Sequence, residues 1–100
     1  MSFWDSSQEV TLEDNILRAS CQDVEGNWQT TEINLNDFLG NSNGIFEWGG
    51  GGWHGTATNY RLEGPVLVAQ LDDGNGEWPE AKIDLNERIT NNNGQLEFLG

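Results

Sequence analysis

The side chains that could do chemistry are concentrated in short turns rich in Asn, Asp and Ser. Residues 41–44 read NSNG, residues 91–94 read NNNG, and residues 72–77 read DDGNGE. An Asn amide both donates and accepts hydrogen bonds, whereas a carboxylate only accepts them. Turns of this composition suit the recognition of a ligand through several directed hydrogen bonds.

Catalysis finds little support in the sequence. The 17 acidic residues leave a hydrolase with paired carboxylates open in principle, but nothing marks two of them as sharing a cleft. No nucleophile–base pair is visible either. We interpret His54, the only histidine, as a loop residue, and Cys21, the only cysteine, as a small buried side chain on a strand. We therefore predict that the protein is not an enzyme.

The segment DDGNGE at 72–77 is the candidate for metal binding, because it is similar to part of a calcium loop. The twelve-residue spacing and the terminal bidentate Glu of that motif are missing. We predict no metal and no cofactor. Calcium-dependent ligand binding is kept as an alternative, and insensitivity to EDTA would dismiss it.

The net charge and the cysteine content indicate which partners can be excluded and in which compartment the protein is expected. The formal net charge is −13, which repels phosphate backbones and anionic lipids, so we expect neither nucleic acid nor a membrane as partner. The first ten residues, MSFWDSSQEV, lack the features of a signal peptide, and no transmembrane stretch is visible. A small secreted domain usually carries several disulfides, whereas the single cysteine of this chain cannot form an internal one. We therefore expect a reducing compartment and a cytoplasmic location.

The polar turns recur because the chain repeats itself at an offset of fifty residues without a gap. The identical pairs include apolar, turn and cap positions alike. They are Leu12/Leu62, Leu17/Leu67, Ala19/Ala69, Gly26/Gly76, Trp28/Trp78, Ile33/Ile83, Leu35/Leu85, Asn36/Asn86, Asn41/Asn91, Asn43/Asn93, Gly44/Gly94 and Glu47/Glu97. We infer a tandem duplication, with repeat 1 at residues 1–50 and repeat 2 at residues 51–100.

The elements of one repeat can be predicted from its pattern. Asn36 is predicted to cap one helical turn, and Asn43–Gly44 is predicted to close a hairpin as a type I′ turn. The predicted order is a strand at 16–21, a turn at 23–27, a strand at 28–35, the helical turn, the Asn-Gly turn and a strand at 45–48. The second repeat follows the same plan.

The aromatic residues are assigned mainly to the core. Trp28, Ile33 and Leu35 are predicted to point inward, and the recurring residues Trp28, Trp78, Trp48 and Phe98 are predicted to pack in the core or against the hairpins. Phe3 and Trp53 occupy matching positions and are expected in the core. Trp4 is expected to be partly exposed.

Fifty residues are too few to fold well alone, so we predict a single all-β domain over residues 1–100 in which the repeats complete a common interior and exchange segments. The segment 49–52, with four glycines, is predicted to be a flexible hinge. A monomer is expected, and the hinge leaves a domain-swapped dimer open.

The doubled motif W-x(4)-I-[ND]-L-N-[DE]-x-[LI]-x-N-x-[ND]-G-x-[FL]-x-[WF] resembles the cyanovirin-N homology family over essentially the whole chain. The resemblance implies an all-β, pseudo-two-fold fold of two tandem repeats. Each half would be a three-stranded sheet plus a hairpin, with segments exchanged between the halves. It also implies a mannose-binding lectin that favours the α1,2-linked mannose of high-mannose glycans, so the partners would be mannose-containing oligosaccharides and glycoproteins.

The chain departs from the founding members of that family, which carry one disulfide in each half. The matching pairs here are Ser7 with Cys21 and Ala57 with Leu71, so neither bridge can form. The chain therefore resembles the disulfide-free fungal members. Each missing bridge could remove about 2–5 kcal/mol of stability, which packing of Trp, Leu and Ile must offset.

By the resemblance, two clusters of loop residues, at opposite ends of the molecule, would bind the sugar. The favoured site comprises Ser2, Asp5, Ser6, Gln22, Asp23, Val24, Glu25, Asn91, Asn92 and Asn93. The second site, ranked lower, comprises Asn41, Ser42, Asn43, Gly52, Gly55, Thr56, Asp72, Asp73, Gly74 and Asn75.

The ranking has two grounds. Val24 stands where the family has a hydroxyl residue, but the first site otherwise keeps the family's polar character, whereas glycines and extra acids alter the second. We therefore predict that Asn91→Ala with Asn93→Ala weakens binding more than Asn41→Ala with Asn43→Ala. Asn43 and Asn93 are also interpreted as ordinary turn residues, while Asn41 and Asn91 are considered better placed for ligand. A protein-interaction or scaffold module that has lost sugar binding is the alternative function.

Overall fold

A computed structural model describes residues 3–99, and their secondary structure is ten short strands and four 3₁₀ turns. The strands are β1 (Ser7–Glu13), β2 (Ile16–Gln22), β3 (Trp28–Asn34), β4 (Leu39–Ser42), β5 (Ile45–Trp48), β6 (Ala57–Glu63), β7 (Val66–Leu71), β8 (Glu80–Asp84), β9 (Ile89–Asn92) and β10 (Gln95–Phe98). The 3₁₀ turns are Trp4–Ser6, Leu35–Asp37, Trp53–Thr56 and Leu85–Glu87. No helical segment of the described residues is long and apolar enough to cross a membrane.

The described chain divides into two compact units. Unit 1 is formed by residues 3–34 and 85–99, and unit 2 by Leu35–Asp84. Each unit takes a three-stranded antiparallel sheet from one half of the chain and a two-stranded hairpin from the other. The predicted all-β fold with exchanged segments is therefore confirmed.

Unit 1 combines the sheet β1–β2–β3 with the hairpin β9–β10. The central strand β2 buries every second residue, Leu17, Ala19 and Cys21, because side chains alternate between the faces of a strand. Cys21 pairs with Ser7 across β1 and β2, and its Sγ lies 3.1 Å from the Ser7 hydroxyl oxygen. The prediction that Cys21 is a buried strand residue is confirmed.

Unit 2 combines the sheet β6–β7–β8 with the hairpin β4–β5. Its central strand β7 is more apolar, and Leu67, Val68, Ala69 and Leu71 are all buried. Trp53 is also fully buried, and its ring meets the ring of Phe46 edge to face at 5.8 Å. Large apolar surfaces of this kind supply most of the stabilisation from burial.

The two Asn-Gly turns close their hairpins as predicted. Asn43 and Gly44 have φ of 52° and 93°, and Asn93 and Gly94 have φ of 50° and 88°. Positive φ at both central residues is the signature of the type I′ turn, which Asn and Gly tolerate best. These turns place Asn43 and Asn93 at exposed tips.

Two predictions about the aromatic core are wrong. Trp28 is 46% exposed and Trp78 is 42% exposed. Trp28 is the first residue of β3, and the first three residues of that strand are all exposed. The prediction pointed Trp28 inward together with Ile33, but these residues are five positions apart in a regularly paired strand, so their side chains lie on opposite faces.

Phe3 and Trp53 are fully buried, as predicted. Trp4 is half-buried, which confirms its predicted partial exposure. Leu35 is buried, Ile33 is half-buried, and the strand predicted at 28–35 ends one residue earlier, at Asn34.

The helical turn predicted after the second strand is present as the 3₁₀ turn Leu35–Asp37. Asn36 lies inside this turn and does not cap it, so that part of the prediction is wrong. Its Oδ1 instead accepts a hydrogen bond of 3.1 Å from the backbone N–H of His54.

The glycine-rich segment at 49–52 packs closely against β4. A Cβ at Gly40 would lie 2.9 Å from the backbone nitrogen of Gly51, and a Cβ at Gly50 would lie 3.0 Å from the Cα of Gly40. Side chains at these positions would force two backbone segments apart. Glycine is therefore required here for close approach, and the function of the segment as a hinge stays a prediction.

Candidate functional site

Unit 1 contains a cavity of about 270 Å³. It lies where the end of β2 and the following turn meet the 3₁₀ turn before β1 and the tip of the β9–β10 hairpin. The lining residues are Ser6, Gln22, Asp23, Val24, Asn91 and Asn93. All six belong to the site that the sequence analysis favours.

Asn91 holds three segments together at the base of the cavity. Its Nδ2 donates to the Ser6 hydroxyl and to the Gln22 backbone carbonyl, each at 2.9 Å. Its Oδ1 accepts from the backbone N–H of Gly94 at 2.8 Å. Both amide hydrogens of Asn91 are thus used within the protein, so Asn91 positions the lining of the cavity. This arrangement argues against the prediction that Asn91 is better placed than Asn93 to contact a ligand.

Asn93 connects the hairpin to the turn after β2. Its Oδ1 accepts a hydrogen bond of 3.0 Å from the backbone N–H of Val24. The two segments are in close contact, because a Cβ at Gly94 would lie 3.3 Å from the Cβ of Asp23. The Nδ2 of Asn93 donates no hydrogen bond to any group among residues 3–99. Asn93 can therefore hold the turn with its oxygen and offer two donors to a ligand.

Asp23 organises the turn itself. Its Oδ1 accepts from the backbone N–H groups of Glu25 and Asn27, each at 2.9 Å. Its Oδ2 accepts from the Gln29 side-chain amide at 3.0 Å. The bond from Gln29, followed by the backbone bonds, holds the pKa of the Asp23 carboxyl below its ordinary value, because all of them favour the charged form.

Val24 gives the cavity one apolar side. Its side chain is 84% exposed, while Ser6, Gln22, Asp23 and Asn93 present hydroxyl, amide and carboxylate groups. Such a lining can hydrogen-bond a ligand bearing several hydroxyls and can pack against an apolar face of the same ligand.

Unit 2 contains the matching cluster around Asn41. The Asn41 Nδ2 donates to the Thr56 hydroxyl at 3.0 Å and to the Asp72 backbone carbonyl at 2.9 Å. Its Oδ1 accepts from the Gly44 N–H at 2.8 Å. These three bonds reproduce those of Asn91, so the base of this cluster is built in the same way.

The turn at 72–77 differs in detail. The Gly74 N–H donates to the Asp72 carboxylate at 2.9 Å. The bond from the backbone N–H of Asn75 to the Asp73 carboxylate, at 2.7 Å, in contrast matches the bond from Glu25 to Asp23 in unit 1. Among the described residues, none forms a hydrogen bond with the Asn43 side chain. The bond that ties the hairpin to the turn in unit 1 therefore has no counterpart here.

Several predicted site residues lie outside the cavity lining. Asp5, Glu25 and Asn92 are exposed, and the Asn92 Nδ2 donates to Glu97 at 2.9 Å. Ser2 falls outside the described residues. In unit 2, Gly52 precedes the 3₁₀ turn that contains Gly55, and Ser42 ends β4.

The sequence analysis missed two residues that position the site. Gln29 fixes the Asp23 carboxylate. Asn86 accepts a hydrogen bond of 3.3 Å from the backbone N–H of Trp4, next to the loop that carries Ser6. The identity of Asn36 and Asn86 across the repeats was a signal for Asn86. No such signal exists for Gln29, because its counterpart is Pro79.

Within residues 3–99, no group of three or more His, Cys, Asp or Glu side chains is arranged to hold a metal ion. His54 packs edge to face against Trp53, with 5.5 Å between ring centroids, and lies 4.8 Å from the ring of Tyr60. His54 is thus part of an aromatic cluster of unit 2.

These features define a class of small all-β proteins with polar turn pockets, and comparison with known proteins identifies its family. The family model described as the CVNH domain matches residues 3–97. The chain belongs to this family, which is the cyanovirin-N homology family that the doubled motif resembles. A curated relative, the cyanovirin-N homolog of Tuber borchii, is 38% identical over 65 residues, which are 63% of this chain and 63% of that relative's length.

Solved structures match over nearly the full length. A designed cyanovirin-N homolog lectin is 39% identical with a TM-score of 0.91, covering 98% of this chain and 99% of that one. Microvirin in its complex with mannobiose is 33% identical with a TM-score of 0.78, covering 97% of each chain. A MoCVNH3 variant in complex with (N-GlcNAc)4 is 28% identical with a TM-score of 0.91, covering 96% and 95%.

Proposed function

We propose that the protein is a non-catalytic, carbohydrate-binding lectin, and that its ligand is the α1,2-linked mannose of high-mannose glycans. The observation that carries this proposal is the unit 1 cavity, with its hydroxyl, amide and carboxylate groups beside the exposed Val24 side chain. Membership of the CVNH family supports the proposal. The complex of the similar microvirin with mannobiose supports the choice of mannose.

The shape and chemistry of the cavity fit a sugar unit. Vicinal hydroxyls donate and accept at once, and the Asn93 amide donors lie in the same lining as the Asp23 carboxylate. The C–H face of a sugar ring would pack on Val24. Each solvent-exposed hydrogen bond contributes only about 0.5–1.5 kcal/mol, so we expect weak binding by one site and stronger binding to multivalent glycans where more than one site is engaged.

A titration of isotopically labelled protein with an α1,2-linked dimannoside tests the proposal by NMR. We expect saturable shifts of the backbone amides of Val24 and Asn93, unchanged by EDTA. A response to (N-GlcNAc)4 without a response to the dimannoside would keep the lectin and overturn the mannose assignment. Silence with both ligands at high concentration would refute the lectin proposal and favour the scaffold alternative.

Replacing the Asn93 side chain locates the site. Because Asn93 has φ of 50°, Asn93→Gly removes the amide without the strain that Ala would meet. We expect dissociation constants at unit 1 to rise about 3–10-fold, which corresponds to the loss of one or two hydrogen bonds. Asn43→Gly, at φ of 52°, is the matched control and should leave the unit 1 affinity unchanged.

A further inference from the structure

One turn N–H group has different acceptors in the two units. In unit 1 the N–H of Val24 donates to the Asn93 side chain at 3.0 Å, which joins the turn to the hairpin. In unit 2 the matching N–H belongs to Gly74, and it donates to the Asp72 carboxylate at 2.9 Å, within its own turn. The hydrogen bond between turn and hairpin is thus replaced by a local one.

The base of the cluster and the closeness of the hairpin to the turn are alike in the two units. Asn41 and Asn91 make the same three hydrogen bonds in their units. The hairpin also approaches the turn equally closely in unit 2, because a Cβ at Gly44 would lie 3.2 Å from the Cβ of Asp73. Two residues of the turn differ. The residue two positions before the N–H is Gln22 in unit 1 and Asp72 in unit 2, and the N–H itself belongs to Val24 in unit 1 and to Gly74, with φ of 84°, in unit 2.

Side-chain length explains how the residue two positions before the N–H selects the acceptor. An Asp carboxylate readily accepts a hydrogen bond from the backbone N–H two residues later, and its charge strengthens that bond. Gln is one methylene longer, and the Gln22 amide instead donates to the Gly26 carbonyl at 3.3 Å, across the turn. The N–H of Val24 is then left for Asn93.

We propose that Asp72 is a positioning residue that weakens sugar binding at the unit 2 cluster by capturing the Gly74 N–H, so that the unit 1 cavity is the stronger of the two sites. The Asn43 side chain lacks the hydrogen bond that holds Asn93 in place. A ligand at unit 2 would therefore have to order the Asn43 side chain on binding. The inference rests on the proposed lectin function. It predicts that removing the capture, and not merely the charge, strengthens binding at unit 2.

Two substitutions of Asp72 separate these causes. Asp72→Gln reproduces Gln22 and removes both the charge and the short acceptor. Asp72→Asn removes the charge but keeps an oxygen at the same distance from the backbone, so it should still accept from Gly74. In the reciprocal variant, Gln22→Asp, the Val24 N–H should be captured and lost to Asn93.

The dimannoside titration is read separately at Gly74 and Asn43 for unit 2 and at Val24 and Asn93 for unit 1. We expect Asp72→Gln to tighten binding at unit 2 about 3–10-fold, the effect of one hydrogen bond, while binding at unit 1 and its amide spectrum stay unchanged. Asp72→Asn should tighten it by less than about twofold. Gln22→Asp should weaken unit 1 by about 3–10-fold.

Three results would overturn the inference while leaving the lectin proposal intact. They are equal affinity of both units in the unaltered protein, no gain at unit 2 in Asp72→Gln, and an equal gain in Asp72→Asn. If no sugar binds to any variant, the lectin proposal fails. The assignment of the Gly74 hydrogen bond to Asp72 can then still be tested directly by NMR. The scalar coupling across the bond from the Gly74 nitrogen should move from the Asp72 carboxyl carbon to the Asn43 side-chain carbonyl carbon in Asp72→Gln, and its failure to move would overturn the inference.

Discussion

Asp23 lies at the centre of the turn that forms one wall of the unit 1 cavity. Its carboxylate accepts hydrogen bonds from the Gln29 side chain and from backbone N–H groups. All of these favour the charged form, so the pKa of Asp23 is lowered in the folded protein. A group with a lowered pKa stabilises the fold above its unfolded pKa, and that contribution is lost as the pH falls through the folded value.

We therefore predict that the turn stays ordered down to a pH of about 4, the ordinary titration range of Asp, and loosens below it. The measurement is the carboxyl carbon shift of Asp23 against pH. Gln29→Ala should move the midpoint upward, because the bond from Gln29 is the largest cause of the shift. A midpoint that does not move in Gln29→Ala would show that Gln29 does not lower this pKa.

At the scale of elements, β1 and β6 contain the same bulge, but the residue with positive φ in the bulge differs between the two strands. The pairing of β1 with β2 is irregular between Gln8 and Thr11, and Glu9 there has φ of 53°. In β6 the corresponding residue is Asn59, with φ of 52°. Positive φ strains most side chains, whereas Asn adopts it readily. The first repeat therefore stores strain at a position where the second does not.

We predict that Glu9→Asn raises the free energy of unfolding by about 0.5–1 kcal/mol, measured by urea denaturation. Glu9→Gln is the control, because it removes the same negative charge and keeps a side chain that does not favour positive φ. Equal stabilisation by both variants would assign the gain to charge and would contradict the strain argument.

The elements also show how far the sequence determined the fold. The Asn-Gly pairs predicted both hairpin turns, and the match of Cys21 to Leu71 in the second repeat predicted the burial of Cys21. The exposure of Trp28 was missed although alternation predicts it, because Trp28 and Ile33 are five residues apart and therefore lie on opposite faces of β3. For the candidate site, all six lining residues of the unit 1 cavity belong to the cluster that the family resemblance implied, and their role in binding stays a prediction. The acceptor of the Gly74 N–H was missed, because it depends on a difference of one methylene between Asp and Gln.

Across the whole molecule, negative charge is in large excess. The chain has 17 acidic residues against 4 Lys and Arg, for a net charge of −13. Arg18 lies within 3.6 Å of Glu13 and 3.3 Å of Glu32, and Arg61 lies 2.9 Å from Glu63. Exposed pairs of this kind contribute only about 0–1 kcal/mol each. Repulsion among the remaining acids should therefore dominate the electrostatic part of the stability.

We predict that the melting temperature rises between about 0.01 M and about 0.15 M salt, as the screening length falls from roughly 30 Å to roughly 8 Å. A gain of about 1 kcal/mol would raise it by about 4–8 °C in a domain of this size. Thermal denaturation in NaCl and in KCl should give the same rise, because screening depends on ionic strength. A fall in the melting temperature would show that the ion pairs outweigh the repulsion.

The division of the chain between the units also bears on its synthesis. Unit 2 is one continuous segment, Leu35–Asp84, whereas unit 1 needs residues 3–34 and 85–99 together. On a ribosome adding roughly 5–20 residues per second, β3 would emerge several seconds before β9 and β10. β2 carries the buried side chains of Leu17 and Ala19 and contacts β10, so these side chains would lack part of their cover during that interval.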